Sequence, residues 1–332
     1  MARAALEAGR EQVAGLLGVR SRQVVFTASG TEAVNTAVWG VAQTRAGRIA
    51  LAGIEHSAVT IASSRHDVAL IGSTPDGRLD LDHLRTVLEG GDVALVHCQW
   101  GNHEVGTLQP VTDVVELAQR HGALVHVDAC AAVSQVPIDL ATAGADLVSI
   151  SAHKFGGPAG IGALVLGRGL RLPPLIVGGA QERGRRAGLE NVAAAVGFGA
   201  VAEFLSVGQL AQEEQAARAF TARTLVAARQ IPDITVYGDE SRRLPHIVCL
   251  GVEGVEAEGV LIGLDQSGIA AHSGSACSSE ELEPSPVLAA MGVEADHSLR
   301  ISVGWSTTDD DIDALVDALP PVVGRLRALG AS

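Results

Sequence analysis

The chain has 332 residues, 47% of them hydrophobic, with 39 glycines and only 3% aromatics, a balance that suits an α/β protein built from Ala, Val, Leu and Gly. Lys and Arg total 24 against 38 Asp and Glu, and the formal net charge of −14 argues against a general nucleic-acid or anionic-membrane surface. Four widely spaced cysteines (Cys98, Cys130, Cys249, Cys277) without a CxxC pair speak against a disulfide framework or a zinc site, and a cytoplasmic, reducing compartment is expected.

From Ala2 to Leu17 apolar residues recur at helical spacing, so the start reads as an amphipathic helix and not as a signal peptide. No run reaches the length of a membrane span, since the apolar stretch from Val192 to Leu205 is interrupted by Glu203. Residues 23–28 read as a buried strand that runs into Ser29-Gly30-Thr31-Glu32 and a second helix. Such a turn offers free amides and a helix dipole to an anion, and equally reads as an ordinary N-cap.

The pattern then repeats. Strands are expected at Arg48–Ala52, Val68–Ile71, 93–98 and 123–127, with helices at 80–88 and 111–120 and a short helix after His56. Strands alternating with helices imply a mainly parallel sheet with functional groups collected at strand C-terminal ends. His56, His103, Asp128 and Lys154 all stand where such ends should be. Lys154 follows the apolar run 147–150 and precedes a turn with Gly156, Gly157, Pro158 and Gly160 and the run 161–166. A lysine delivered there either forms a Schiff base or simply snorkels to solvent. Taken together, a carboxylate for a pyridinium nitrogen, an imidazole to stack on a ring, a lysine for an aldehyde and a phosphate turn describe a pyridoxal phosphate pocket.

Beyond Leu166, Gln181 to Gly188 is rich in Gly and Arg and reads as a solvated loop or as an active-site loop at a subunit contact. A long helix from Glu190 to about Gln230 bridges into a second domain, which is expected to hold strands near 246–250, 269–272 and 299–303. A closing helix from Asp309 to Leu329 should break or kink at Pro320 and Pro321. A large domain over 1–205 and a smaller α/β domain over 206–332 follow. In the latter, Cys277 sits among small polar residues in Ser273-Gly-Ser-Ala-Cys, and Arg300 on a strand offers either a carboxylate clamp or a structural ion pair.

These residues resemble the cysteine desulfurase family of fold type I pyridoxal phosphate enzymes, in the group that serves iron-sulfur assembly. The matching stretches are Phe26-Thr-Ala-Ser-Gly-Thr-Glu, Ile54-Glu-His-Ser-Ala-Val, Asn102-His-Glu-Val-Gly, His126-Val-Asp-Ala, Ser151-Ala-His-Lys-Phe-Gly-Gly-Pro, Gln181-Glu-Arg-Gly, Ser273-Gly-Ser-Ala-Cys, Leu282-Glu-Pro-Ser and Ser298-Leu-Arg-Ile-Ser. They span essentially the whole chain in family order.

The resemblance implies a mainly parallel seven-stranded sheet, a pyridoxal 5'-phosphate cofactor and a homodimer. Lys154 would carry the cofactor, Asp128 would pair with its ring nitrogen and His56 would stack on the ring. Gly30, Thr31, Ser151 and His153 would hold the phosphate, with His103 also touching the cofactor. Cys277 would be the nucleophile that takes sulfur from L-cysteine, and Asn102 and Arg300 would bind the substrate. A sulfur-acceptor or scaffold protein is then the expected partner, with no nucleic acid and no membrane. A selenocysteine lyase, another β-lyase or an aminotransferase is the rival within the class, and a non-catalytic binding subunit of a sulfur pathway is the rival outside it.

Three positions depart from the family. His103 replaces a second Asn, Ala131 replaces a Gln, and Leu189 replaces a Thr contributed across the dimer. Ala131 and Leu189 cannot supply the lost hydrogen bonds, so weaker cofactor binding than the family's is expected. The family's opening segment, with its Ala-Thr-Thr strand, has no counterpart in the sequence.

Overall fold

Apolar strands that bury both faces need helices on both sides, and the first half of the chain supplies them in alternation. A computed structural model of the protein describes residues 1–273 and 285–330. Cys277 and the rest of 274–284 lie outside the described residues.

In chain order, α1 (Ala2–Leu16) precedes β1 (Val24–Thr27), α2 (Gly30–Thr44), β2 (Arg48–Ala52), α3 (Ser57–Ser63), β3 (Val68–Ile71) and α4 (Leu81–Glu89). Then come β4 (Val93–Gln99), α5 (Val111–Arg120), β5 (Leu124–Asp128), α6 (Leu140–Ala143), β6 (Leu147–Ser151) and β7 (Gly162–Leu166). The strands form one sheet in the order β1-β7-β6-β5-β4-β2-β3. Only β7 runs against the rest, pairing antiparallel with both β6 and β1. The parallel pairs β6–β5, β5–β4, β4–β2 and β2–β3 gather the C-terminal ends of their strands along one edge.

The short helix α7 (Gln181–Gly184) is followed by α8 (Val192–Phe204), a π turn at Leu205–Gln209 and α9 (Leu210–Ala228). The single long helix expected over 190–230 is thus interrupted. Thereafter β8 (Ile234–Tyr237), β9 (Ile247–Val252), α10 (Ala257–Asp265), β10 (His272–Ser273), α11 (Pro286–Ala290), β11 (Ser298–Ser302) and α12 (Asp309–Gly330) complete the chain.

Two compact units result: Met1–Gly72 with Leu79–Trp100 and Gln109–Leu210, and Ser73–Arg78 with Gly101–Leu108 and Ala211–Ser332. The division falls after Leu210, not at 205, and two excursions from the first half join the second unit. They do so through hydrogen bonds: Thr107 Oγ1 donates to Asp76 O at 2.6 Å and accepts from Asp239 N at 2.9 Å, and Leu244 N donates to Gly106 O at 2.7 Å. The first unit's core packs Val34, Ala37, Val38 and Val41 of α2 on Ile49, Leu51, Leu95, Leu147 and Leu164 of the sheet. In the second unit the antiparallel sheet β10-β11-β9-β8 carries Val248, Leu250, Leu299 and Ile301, which share a core with Leu264 of α10 and Leu319, Val322 and Val323 of α12.

α12 is one helix with Pro320 and Pro321 inside it, contrary to the expected break. Both prolines are exposed, while Leu319, Val322 and Val323 around them are buried, so tertiary packing holds the helix through the missing N–H donors. No described helix is long and apolar enough to cross a membrane. Among the described residues no group of three or more His, Cys, Asp or Glu could hold a metal ion.

Candidate functional site

At the end of β1 the chain turns into α2 through Ser29, whose Oγ accepts from Glu32 N at 3.1 Å. Glu32 reaches back to accept from Ala28 N at 2.8 Å, so the turn is closed from both sides. The amides of Gly30 and Thr31 begin the helix and have no acceptor within it. Two glycines seat this turn on the sheet. A Cβ at Gly30 would stand 2.6 Å from Cys130 Sγ and 3.3 Å from Ser151 Cβ. One at Gly162 would stand 2.5 Å from Ser29 C and 2.8 Å from Gly30 N. The helix N-terminus therefore lies directly against the ends of β5 and β6.

Those ends carry the other candidates. Asp128, the last residue of β5, is 9% exposed, and its Oδ1 accepts from Cys130 N at 2.9 Å. Ser151, the last residue of β6, is buried, with its Oγ 2.9 Å from His153 Nδ1. A 3₁₀ turn over Ala152–Phe155, closed by left-handed Gly156, then presents His153 and the exposed Lys154. Burial and the neighbouring Lys154 ammonium both lower the His153 pKa. Burial pushes the Cys130 thiol well up, Asp128 adds to this, and Lys154 opposes it. Lys154, Asp128, Cys130, Ser151 and the Gly30 turn thus form one neighbourhood. Cys130 was not singled out in the sequence, although its place two residues after a strand-end Asp was the available signal.

His56 follows β2 and caps α3, its Nδ1 accepting from Ala58 N at 3.0 Å, which leaves the ring proton on Nε2. Its loop is stitched to the end of β4: Glu55 Oε1 accepts from Gln99 N at 2.8 Å, and Gln99 Nε2 donates to Ile54 O at 2.7 Å. Since Gln99 is the register partner of Asp128, His56 belongs to the same strand-end edge.

Behind this edge lies a polar pair to which the sequence reading assigned no role. His97 and His126 are register partners on β4 and β5, both fully buried, with their Nδ1 atoms 2.9 Å apart. His97 Nε2 lies 3.3 Å from Ser63 Oγ, and His126 Nε2 lies 2.8 Å from Ser149 Oγ.

The second unit holds the remaining candidates. Asn102 is fully buried, and its Oδ1 accepts from Glu104 N and Val105 N at 2.8 Å each, so it shapes the turn that carries His103. His103 Nε2 is 3.5 Å from the buried Glu104 carboxylate, which in turn accepts from Ser285 Oγ. Arg300 on β11 donates through Nη1 to His103 O at 3.2 Å. Arg300 and His103 are therefore brought together, whereas Cys277 lies outside the described residues.

The donor set suits a phosphorylated aldehyde with a basic ring nitrogen. Helix amides, the Ser151 hydroxyl and the His153 imidazole match the phosphate, the buried Asp128 carboxylate matches a ring N–H, and Lys154 matches the carbonyl. The residues present fit pyridoxal phosphate. Of the departures, Ala131 stands two positions beyond Ala129, whose amide donates to Ser149 O, and Leu189 is 88% exposed.

The aminotransferase class-V family model matches residues 1–315. A cysteine desulfurase of Nostoc sp. is 40% identical over 337 aligned residues, which cover 98% of this chain and 84% of that protein. The cysteine desulfurase NifS of Azotobacter vinelandii is 38% identical, covering 97% of this chain and 83% of that one. Among solved structures, a NifS-like protein superposes with a TM-score of 0.90 at 28% identity, covering 98% of this chain and 89% of its own. DndA from Streptomyces lividans superposes with a TM-score of 0.78 at 31% identity, covering 91% and 88%. On the family match across nearly its whole length and on these relatives, the chain belongs to the class-V aminotransferase family and, within it, to the cysteine desulfurases.

Proposed function

We propose that this protein is a pyridoxal phosphate-dependent cysteine desulfurase that converts L-cysteine and the Cys277 thiol into L-alanine and a Cys277 persulfide. The observation that carries the reading is the convergence of the Gly30 turn, Asp128, Ser151 and Lys154 along one strand-end edge. When bound, pyridoxal phosphate supplies an aldehyde for the substrate amine and a protonated ring that draws electrons from the substrate.

The chain's own residues do the rest. Lys154 holds the cofactor through its amine, and Asp128 holds the ring proton in place. The amides of Gly30 and Thr31, with Ser151 and His153, bind the phosphate. His56, with its proton on Nε2, covers the ring. Arg300 binds the substrate carboxylate through its planar fork, next to the turn bearing His103. The Cys277 thiolate takes the substrate sulfur, which breaks the C–S bond and leaves the alanine carbon to be protonated.

Two finer readings accompany this. The exposed apolar side chains Val177 (76%) and Leu189 (88%) on the loop before α8 support a homodimer. The free thiols Cys98, Cys130 and Cys249 support a reducing, cytoplasmic setting, where the persulfide passes to an acceptor protein. The test is the visible spectrum of the protein with pyridoxal phosphate, followed on adding L-cysteine. A protein-bound band that shifts with L-cysteine, together with alanine release lost in Cys277→Ala, is the expected result. A spectrum of free cofactor alone would overturn the reading.

A further inference from the structure

The loop from Gln181 to Gly188 has no part in the chemistry above, yet it is held at unusual cost. Glu182 and Arg183 are consecutive non-glycine residues in left-handed conformation, at φ 47° and 59°. Such a pair persists only where the surroundings over-determine it, and clusters at sites where geometry matters. The surroundings do so here. The buried Glu182 carboxylate accepts from Arg10 Nη1 at 2.6 Å, Arg10 Nη2 at 2.7 Å and Phe26 N at 2.9 Å. Arg185 donates to Arg22 O at 2.8 Å and to Val24 O at 3.1 Å. The loop is thereby clamped along β1, the edge strand that leads into the anion-binding turn.

What the clamped loop presents to that turn is Arg186. Its Nε donates to Glu32 Oε1 at 2.9 Å and its Nη2 to Glu32 Oε2 at 3.2 Å, while Glu32 Oε2 also accepts from Ala28 N. Glu32 therefore has a fixed task as the carboxylate that closes the Ser29–Gly30–Thr31 turn. A carboxylate one residue from the phosphate-binding amides is also a liability, because its charge repels the phosphate those amides would hold. Arg186, in a two-point fork on that carboxylate, removes the repulsion and keeps the turn closed.

We infer that Arg186 is a positioning residue for the cofactor phosphate, acting through Glu32, and that the strained Glu182–Arg183 turn exists to deliver it. The inference rests on the cofactor site proposed above.

The experiment is equilibrium binding of pyridoxal phosphate and of pyridoxal to the full apo chain, for wild type, Arg186→Gln, Glu32→Gln and the double variant. Attachment to Lys154 is common to both ligands, so the ratio of their affinities isolates the phosphate. Arg186→Gln should weaken pyridoxal phosphate by about tenfold, the size of one uncompensated charge near an anion in a partly screened site, and leave pyridoxal unchanged. Removing the Glu32 charge as well should restore the affinity. Glu32→Gln alone keeps an oxygen for Ala28 N and should bind pyridoxal phosphate at least as well as wild type, a check that holds even if Arg186→Gln fails to fold. Equal weakening of both ligands in Arg186→Gln, or weaker pyridoxal phosphate binding in Glu32→Gln, would overturn the inference. A wild-type protein that does not prefer pyridoxal phosphate to pyridoxal would instead overturn the site on which it rests.

Discussion

Acidification from pH 7 to pH 5 should destabilise the first unit through His97 and His126. Their Nδ1 atoms, 2.9 Å apart, can share only one hydrogen, so one ring carries its proton on Nδ1 and the other on Nε2. A further proton on either ring would set N–H against N–H in a site without water access, since both residues are 0% exposed. Burial first, and then its partner ring, hold the His97 pKa well below 6.5. Burial lowers that of His126 to about 4, with Asp128 pulling in the opposite direction. The folded state thus disfavours the charged rings, while the unfolded chain protonates them near pH 6.5. The pair's contribution is fully present above about pH 6.5 and is lost as pH falls from there towards the folded values. Each ring costs about 1.4 kcal/mol per pH unit in that window, or about 2 kcal/mol by pH 5, and the pair costs about 4 kcal/mol. Urea unfolding followed by tryptophan fluorescence would measure this, because Trp39 and Trp100 both lie in the first unit. The double variant His97→Asn, His126→Asn should lose about 4 kcal/mol less than wild type between pH 7 and 5. Parallel losses in the two proteins would refute the reasoning, as would a ¹⁵N spectrum showing both rings charged at about pH 6.

The remaining expectations follow from single contacts. Gly162→Ala puts a methyl 2.5 Å from Ser29 C and 2.7 Å from Ile150 O, both backbone, so it should cost about 1–3 kcal/mol and weaken pyridoxal phosphate binding; unchanged affinity would show that the turn can move freely. Glu182→Ala removes the two-point carboxylate partner of the buried Arg10 guanidinium, leaving it Glu7 at 3.3 Å and Val24 O at 3.2 Å, and should cost roughly 3 kcal/mol in urea unfolding, whereas Arg10→Met with Glu182→Gln should cost less. Arg300→Gln should raise the KM for L-cysteine by about 10- to 100-fold with cofactor binding intact, and a purely kcat effect would remove it from the substrate's carboxylate. Iodoacetamide on the native protein should label Cys277 ahead of Cys98 and Cys249, which are 1% and 0% exposed, with thiols pushed well up and up to about 12. Labelling of those two first would contradict their burial.

Local signals read well wherever the cause is local. The spans of β2, β3 and α5 agree with apolar runs bounded by turn residues, and the Ser29 turn and the Lys154 segment follow from strand-then-glycine patterns. The misses have causes that lie elsewhere in the chain. β8 is half-exposed along its length and offered no apolar run to find. Pro320 and Pro321 stay helical because Leu319, Val322 and Val323 are fixed by β9 and β11, a constraint that proline chemistry alone does not contain. Arg10 and Glu182 are 172 residues apart, and a helix pattern with a charged loop gives no reason to join them.

The histidine pair shows where the missing information resides. A lone histidine in a hydrophobic strand reads as core, and both His97 and His126 are in that sense core residues. Each nevertheless precedes its strand-end polar residue by two positions, His97 before Gln99 and His126 before Asp128. Side chains two apart share a face, and β4 and β5 are consecutive strands of an alternating pattern, so parallel pairing in register makes the two imidazoles neighbours. The offset of a polar residue from its strand end, compared between successive strands, is therefore a signal that the amino-acid order itself contains. In this chain it places a polar pair behind the Asp128 carboxylate, one layer deeper than the residues that face a ligand.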